Sequence, residues 1–434
     1  MSREMKDSGI EWIGEIPKDW KIIKIKYIFS YHKEIVNNRA KNYDRLALTL
    51  KGVIKRDKND NEGLQPESFD NYQIIDKDEL VFKLIDLENT ATSRVGLSNF
   101  VGIVSPAYIV LKPNDSVESR YAEYFFLSMW KRNIFNQLGD AGVRSNLNSR
   151  DLMNVSFTMC TKSEQQRIVN FLDKKCKNID YIINITRNTV IQYKQLKEAI
   201  ITKTVTKGVS NNRKMKQTKH DFISKIPIEW NIVPLRYIGA LQNGISKSGD
   251  CFGNGFPFVS YGDVYKNLAL PEVVDGLVES TEDERERYSV KEGDIFFTRT
   301  SETIQEVGLS SVCLKTIDNA TFAGFLIRVR PYKDLLLPKF SQYYFRSSHH
   351  RAYIVKQMNL VTRASLGQGL LKGMPVLIPP KHEQEEIVEY LDTKCLEIDT
   401  IIQNKENYIK ELENYKKSLI YEYVTGKKEV PNNE

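Results

Sequence analysis

Two short acidic clusters are the first candidates for chemistry in this sequence. Asp86 and Glu88 flank a leucine, and Glu284 directly follows Asp283. Carboxylate pairs of this kind could bind Mg²⁺ and activate water for cleavage of a phosphodiester bond. Neither stretch has the spacing of an established metal-binding motif, so a nuclease is the weakest of three functional hypotheses.

Histidines, cysteines and glycines give no stronger catalytic signal. The five histidines lack metal-ligand spacing, and the five single, scattered cysteines argue against a disulfide framework or a zinc site and favour a reducing cytoplasm. His349 and His350 could contact a phosphate, but a surface helix end is the simpler interpretation. Residues 253–255 and 367–369 are lone Gly-x-Gly triplets, which we interpret as turns.

The motifs of the common DNA-modifying enzymes are absent. The sequence has no phosphate-binding G-x-x-x-x-G-K-[ST] loop, no H-E-x-x-H, and no Asn/Asp-Pro-Pro-aromatic tetrapeptide, since its only Pro-Pro is followed by Lys381. We therefore expect a chain that is not an enzyme and holds no cofactor. No stretch approaches the ~18 apolar residues of a membrane span. A net charge of +7 permits nucleic-acid binding without demanding it.

The chain is organised as a tandem repeat, which is a stronger signal than any local motif. The offset between the copies is 210 residues at the start and 219 at the end, and loop insertions would explain the drift. The matched blocks are residues 16–20 with 226–230, residues 79–82 with 294–297, residues 96–98 with 308–310, and residues 164–180 with 383–399.

Each copy ends in a stretch without proline or glycine, in which apolar residues recur every three or four positions. We predict two long amphipathic helices of about 43 residues, or roughly 64 Å each. Residues 163–208 carry nine Lys/Arg against four Asp/Glu, and residues 382–427 carry six against eleven. These opposite charges favour pairing within one molecule, although each charge run could equally be a solvated face.

The fold class predicted from these patterns is α+β. Two tandemly repeated globular domains are each followed by a long α-helix, and the two helices pair as an antiparallel coiled coil. Short β-prone runs between turn signals support the globular domains. The predicted boundaries are residues 1–160 for the first domain, 161–210 for the central helix, 211–380 for the second domain and 381–434 for the C-terminal helix.

Three stretches carry a resemblance to a known family. Residues 8–20 are SGIEWIGEIPKDW, residues 164–173 are EQQRIVNFLD, and residues 379–387 are PPKHEQEEI. In these motifs, and over essentially its whole length, the chain resembles the S (specificity) subunits of type I restriction-modification systems. The first copy has Cys160 and Thr161 where the second has the double proline, which we interpret as drift in a linker.

The resemblance implies a mechanism. Each globular target-recognition domain would recognise one half of a split sequence in double-stranded DNA, while the paired helices set the spacer and dock two methyltransferase (M) subunits. The M subunits would bind S-adenosylmethionine and methylate adenine, and two motor-nuclease (R) subunits would use ATP and Mg²⁺. This chain would itself be non-catalytic, with no membrane contact, in the cytoplasm of a bacterium or archaeon.

Nine residues in polar, turn-prone segments are candidate DNA contacts, because Lys and Arg bind phosphates and polar side chains recognise base edges. They are Lys83, Arg94, Arg144 and Asn146 in the first copy, and Lys247, Tyr261, Arg299, Thr300 and Arg363 in the second. For each one, an ordinary solvent-facing or salt-bridged residue is the alternative. Trp20 and Trp230 occupy equivalent positions and are predicted to be core anchors.

A second functional hypothesis needs no DNA. The chain could be a helical adaptor whose duplicated domains bind another ligand, while its long helices bind partner proteins. Specific, salt-dependent binding of a DNA duplex would favour the specificity-subunit hypothesis over this one.

Overall fold

The computed structural model describes residues 3–58, 66–88, 92–138, 146–210, 212–220, 222–301, 306–332, 335–357 and 364–431. The chain divides into two compact units. Unit 1 comprises Met1–Arg187 and Asn407–Glu434, and unit 2 comprises Asn188–Glu406. Both units therefore mix globular and helical segments, and the predicted boundaries at residues 160, 210 and 380 stay predictions.

Unit 1 combines short strands with a buried helix. Its elements are β1 (Met5–Asp7), β2 (Glu15–Pro17), β3 (Lys21–Lys24), β4 (Phe29–Tyr31), β5 (Arg45–Thr49), β6 (Gly52–Arg56), β7 (Gln73–Ile75), β8 (Leu80–Phe82), β9 (Val95–Leu97), β10 (Gly102–Val104), β11 (Ile109–Pro113), α1 (Ser119–Lys131), α2 (Ile134–Leu138), α3 (Ser149–Met153), β12 (Ser156–Met159) and most of α4 (Lys162–Lys207).

The core of unit 1 lies between α1 and an antiparallel sheet in the order β4-β11-β8-β9. Because α1 is buried on nearly every side, its adjacent residues Phe125 and Phe126 are both fully buried. The Phe126 ring packs edge-on against Phe82 of β8 at 4.8 Å between centroids, and Phe125 packs against Phe157 of β12 at 4.5 Å. A second sheet, β6-β5-β10-β7, is mixed because β10 runs parallel to β5.

Unit 2 repeats this plan. Its elements are β13 (Met215–His220), β14 (Ile223–Pro227), β15 (Asn231–Pro234), β16 (Gly239–Asn243), β17 (Phe252–Val259), α5 (Tyr261–Lys266), β18 (Leu277–Val278), α6 (Glu282–Arg287), β19 (Ile295–Thr298), β20 (Thr300–Ser301), β21 (Ser310–Val312), β22 (Thr321–Phe322), β23 (Leu326–Pro331), α7 (Pro338–Arg346), α8 (Ser348–Gln357), β24 (Ala364–Ser365), α9 (Gln368–Gly373), β25 (Pro375–Ile378) and most of α10 (Lys381–Val424).

The main sheets of the two units have the same topology. In unit 2 the order is β16-β23-β19-β21, which corresponds strand by strand to β4-β11-β8-β9. The pair β15-β25 likewise corresponds to β3-β12, and the hairpin β13-β14 corresponds to β1-β2. The duplication seen in the sequence is therefore a duplication of structure, and the predicted α+β fold class is confirmed.

The two long helices have 46 residues in α4 and 44 in α10. Each is followed by a glycine with positive φ, Gly208 at +79° and Gly426 at +72°. Glycine adopts this left-handed conformation without the steric cost that a side chain brings, so it ends a helix efficiently. At Gly426 a Cβ would also collide with Pro17, so the helix end and the first hairpin pack tightly.

Segments of the two helices pack antiparallel within each unit, as predicted. In unit 1 the Phe171 ring of α4 lies against Tyr423 of α10, with 4.5 Å between ring centroids. In unit 2 Val190 of α4 forms a buried cluster with Ile398 and Ile402 of α10. These contacts remove the apolar stripes of both helices from water, which is the main source of stability for such helices.

Ion pairs follow the same antiparallel register. In unit 1 Arg187 pairs with Glu413 at 2.7 Å, while in unit 2 Lys194 pairs with Glu406 at 3.2 Å and Lys197 with Asp399 at 2.5 Å. The base belongs to α4 and the acid to α10 in all three pairs. Asp180 and Lys416 pair in the opposite sense, at 2.7 Å. Exposed pairs contribute at most about 1 kcal/mol each, so they tune the register more than they hold it.

Leu391 and Leu396 of α10 provide a matched test of how α10 packs in the core of unit 2. Leu391 is fully buried, whereas Leu396 is 69% exposed. Leu391→Ala should lower the free energy of unfolding by roughly 2–5 kcal/mol, because it removes buried methyl groups and leaves a cavity. Leu396→Ala should stay within about 0.5 kcal/mol of the parent. Denaturant titration measures both, and equal losses would contradict the assigned helix face.

Candidate DNA interface

A carboxylate in the first turn of α4 joins the first globular domain to its helix. Glu164 accepts hydrogen bonds from the indole Nε1 of Trp20 at 3.1 Å and from Nη1 of Arg3 at 2.6 Å. Arg3 also donates to Asp19 at 2.8 Å and lies over the Trp20 ring. Trp20 is 1% exposed, so its predicted role as a core anchor is confirmed.

The second copy repeats this cluster with equivalent residues. Glu383 of α10 accepts from Nε1 of Trp230 at 2.9 Å and from Nη1 of Arg213 at 2.6 Å, and Arg213 also pairs with Glu229. Burial alone would raise the pKa of Glu383, but the hydrogen bonds from Arg213 and Trp230 outweigh it and lower that pKa. We call each Arg-Trp-Glu cluster a helix clamp.

Glutamines beside the helix clamps fix the start of the buried helix in each domain. Gln165 accepts from the backbone N–H of Glu118 at 2.8 Å, and Gln384 accepts from that of Leu337 at 2.8 Å. About two turns further along each long helix, Tyr124 donates to Asp173 and Tyr343 donates to Asp392, both at 2.6 Å. Every one of these pairs keeps the offset of 219 residues. Each domain therefore meets its long helix in one defined orientation.

Three candidates of the first copy surround the turn at Asp86. The backbone N–H of Lys83 donates to Arg94 O at 3.0 Å, and the Lys83 ammonium donates to Thr92 Oγ1 at 3.2 Å. The Arg94 guanidinium donates to the carbonyl of Asp86, whose backbone N–H donates to Asn146 Oδ1 at 3.0 Å. The three candidates predicted from the sequence therefore lie close together, although they come from three separate segments of the chain.

These three side chains differ in accessibility. Asn146 is exposed and Lys83 is half-buried, whereas Arg94 is fully buried. Burial lowers the pKa of both Lys83 and Arg94, and the neighbouring Arg94 charge lowers that of Lys83 further. In this conformation Arg94 supports the turn from beneath, and a DNA contact by its side chain would require the turn to open. The DNA-contact role of all three stays a prediction.

In the second copy, Tyr261 and the residue before Arg299 and Thr300 bind the same backbone carbonyl, that of Glu306. The Tyr261 hydroxyl donates to Glu306 O at 3.4 Å, and Thr298, next to Arg299, donates to the same carbonyl at 2.7 Å. Arg299 N donates to Phe325 O at 2.8 Å, and Arg299 O accepts from Leu366 N at 2.7 Å. The backbone is thus held on both sides while the Arg299 and Thr300 side chains are partly exposed.

Lys247 is held by an ion pair. Its ammonium lies 2.7 Å from Oε1 of Glu284, which also caps the N-terminus of α6 through Thr281. The hydrogen bond to Glu284 raises the pKa of Lys247. A phosphate contact by Lys247 would have to compete with this carboxylate. Arg144 and Arg363 lie outside the described residues.

The acidic clusters do not assemble a metal site in the described part of the chain. Among those residues no group of three or more histidines, cysteines, aspartates or glutamates could hold a metal ion. Glu284 is occupied by Lys247 and by the cap of α6, as above. Within the same residues, no helix is long and apolar enough to cross a membrane.

The prediction of a surface position for His349 and His350 is wrong. The two residues are 6% and 1% exposed, and their ring centroids are 3.8 Å apart. Ser347 Oγ lies 2.7 Å from Nδ1 of His349, and Tyr344 O lies 2.9 Å from Nδ1 of His350. The helix breaks at Ser347 and turns both rings inward, which adjacent histidines in a sequence do not reveal.

The arginine and tyrosine partners of the long helices were not predicted from the sequence. Arg3 and Arg213 are separated by the same 210 residues as the two tryptophans, and Tyr124 and Tyr343 by the same 219 residues as the two glutamates. Extending the repeat comparison to single residues at those offsets would have found all four.

Comparison with known proteins agrees with the duplication. The type I restriction modification DNA specificity domain matches residues 17–193 and again residues 227–414. The chain is 25% identical to the type I restriction enzyme EcoKI specificity subunit of Escherichia coli K12, covering 95% of this chain and 90% of that protein. It is 23% identical to the putative MjaX specificity subunit of Methanocaldococcus jannaschii, covering 96% and 95%.

Solved structures share the fold. A chain from a type I R-M system, solved to explain complex assembly and conformational transition, superposes with a TM-score of 0.72 at 15% identity, covering 94% of this chain and 98% of that one. The HsdS subunit from Thermoanaerobacter tengcongensis gives a TM-score of 0.50 at 14% identity, covering 95% and 98%.

The buried histidines predict a loss of stability in acid. Burial lowers the pKa of His349 from 6.5 to about 3, and burial together with His349 holds that of His350 well below its usual value. The unfolded chain therefore binds protons that the folded chain does not, as the pH falls below 6.5. Stability is fully present above that pH and falls by about 1.4 kcal/mol per pH unit for each histidine.

Denaturant titrations between about pH 7 and pH 5 measure this slope. The double variant His349→Gln/His350→Gln should show a shallower dependence than the parent. The exposed His382, changed to Gln, serves as the control and should leave the slope unchanged. An identical slope in the parent and the double variant would rule out the buried pair as its source.

Proposed function

Because the chain belongs to the type I restriction-modification DNA specificity family, we propose that each of its globular domains recognises one half of a split DNA target. The observation that carries this proposal is the duplicated domain with its duplicated helix clamp. Two equivalent domains, each oriented by its own long helix, suit a target with two half-sites and a fixed spacer. The chain is a non-catalytic specificity subunit.

The long helices are the proposed docking surface for M subunits. Both units expose large apolar side chains along their helix segments, including Tyr181 at 66%, Tyr415 at 54% and Tyr408 at 45% in unit 1 and Leu396 at 69% in unit 2. Exposed apolar residues of this size favour protein contacts. We propose two M subunits, which bind S-adenosylmethionine and methylate adenine, and two R subunits, which use ATP and Mg²⁺ to translocate and cleave DNA in the cytoplasm.

Arg299 offers the sharpest test of half-site recognition. Its backbone is fixed by Phe325 and Leu366, so Arg299→Ala should alter a side chain and leave the fold in place. Loss of a direct base contact would weaken methylation of one half-site by about 1–3 kcal/mol, or roughly 5- to 150-fold. Methylation of the other half-site in the same molecules is the internal control, and an equal loss at both would refute separate recognition.

Mapping methylated adenines in the host genome, with and without this gene, tests the whole proposal. We expect one split motif to lose its methylation, and its two parts and spacer would then be known together. The adaptor hypothesis predicts that no DNA motif changes its methylation when the gene is removed. In vitro, the chain with its M partner should bind its duplex with an affinity that falls as salt increases.

A further inference from the structure

A buried carboxylate in unit 1 has an oxygen without a partner. Glu79 is 3% exposed, and its Oε2 accepts from the backbone N–H of Asp76 at 2.8 Å. Its Oε1 has no hydrogen-bond partner among the described residues. A buried carboxylate oxygen without a donor is costly, so it normally has a partner.

The duplication shows which carboxylate corresponds to it in unit 2. Asp294 follows Glu79 by 215 residues, and its Oδ2 accepts from Lys291 N at 2.8 Å, as Glu79 does from Asp76. The backbone N–H of Ser98 donates to Glu79 O at 2.9 Å, and that of Cys313 donates to Asp294 O at 2.8 Å. The two carboxylates therefore start from the same backbone position of the repeated fold.

In unit 2 the carboxylate is satisfied by a guanidinium. Arg330 binds Asp294 through Nε at 2.7 Å and Nη2 at 2.6 Å, a two-point contact matched to carboxylate geometry. Arg330 is on β23. Tyr332, two residues after Arg330, donates its backbone N–H to Ile238 O at 2.8 Å.

The equivalent position in unit 1 is Lys112 on β11. Asn114, two residues further on, donates from N–H to Ile28 O at 2.9 Å, as Tyr332 does to Ile238. The Lys112 side chain is exposed and forms no ion pair with Glu79. A lysine ammonium is a single point charge and cannot make the two-point contact that Arg330 makes.

Glu79 and Lys112 both line a cleft of about 770 Å³ within unit 1. The cleft runs from the end of β11 past the first turn of α1 to Lys162, Asp173 and Lys177 on α4. We propose that this cleft binds a guanidinium group, supplied by a small molecule or by an arginine side chain of a partner protein. The group would pair with Glu79 as Arg330 pairs with Asp294. This site is independent of the proposed DNA recognition.

Agmatine, a small alkylguanidinium, is the probe for a calorimetric titration of the full chain. We expect saturable binding at one site per chain. Glu79→Gln should weaken it by at least about tenfold, because it removes the charge while keeping an oxygen for Asp76 N. Putrescine, a diamine without a guanidinium, is the ligand control. Equal binding of putrescine and agmatine, or no agmatine binding by the parent, would overturn the proposal.

Two substitutions at one position complete the test. Lys112→Arg should recreate the internal ion pair of unit 2, abolish agmatine binding and raise the midpoint of thermal unfolding. Lys112→Gln keeps Glu79 unpaired and should bind agmatine at least as well as the parent. Both variants change an exposed side chain, so neither depends on Glu79→Gln folding normally. Agmatine binding that persists in Lys112→Arg contradicts the proposal.

A capped peptide, acetyl-Gly-Arg-Gly-amide, distinguishes the two sources of the guanidinium. Tighter binding of the peptide than of agmatine supports an arginine side chain of a partner protein. Tighter binding of agmatine supports a small molecule. Both outcomes uphold the guanidinium site. A control peptide with lysine in place of arginine should bind neither the parent nor the Lys112 variants.

Discussion

The helix clamp is the constraint from which the rest of this structure follows. One carboxylate in the first turn of each long helix accepts hydrogen bonds from a guanidinium just before the first hairpin of its domain and from an indole N–H just after that hairpin. Because Glu164 and Glu383 receive these donors in a largely buried setting, an unpaired carboxylate there would be strongly unfavourable. The clamp thus converts a flexible junction into a fixed angle between a domain and its helix.

That angle matters because specificity for a split target is a geometric property. If a domain could rotate on its helix, the protein could bind half-sites separated by spacers of several lengths. The length of the spacer would then not contribute to specificity. Gln165 and Gln384 add a second point of attachment, and Tyr124 and Tyr343 add a third. Three points define an orientation, and both copies use the same three.

The architecture could be predicted from the sequence because duplication and helical periodicity are both repeated signals. The equivalent positions of Trp20 and Trp230 indicated two repeated domains, and the apolar stripes predicted the two long helices. Individual loop residues could not be placed, since exposure depends on contacts distant in sequence. Arg94 and Asn146 illustrate this, because both were chosen as polar loop residues and only Asn146 is exposed. His349 and His350 are buried, contrary to the prediction, because the helix breaks at Ser347 and both rings turn inward.

The division of the chain into units has a consequence for its synthesis. Unit 2 is one continuous segment, whereas unit 1 needs residues from both ends of the chain. The Val424 carbonyl accepts hydrogen bonds from Tyr121 and Thr158, which are translated some 270 to 300 residues earlier. A nascent chain can therefore fold unit 2 first. Tyr121 and Phe171 remain without their contacts to α10 until the end of that helix has left the ribosome.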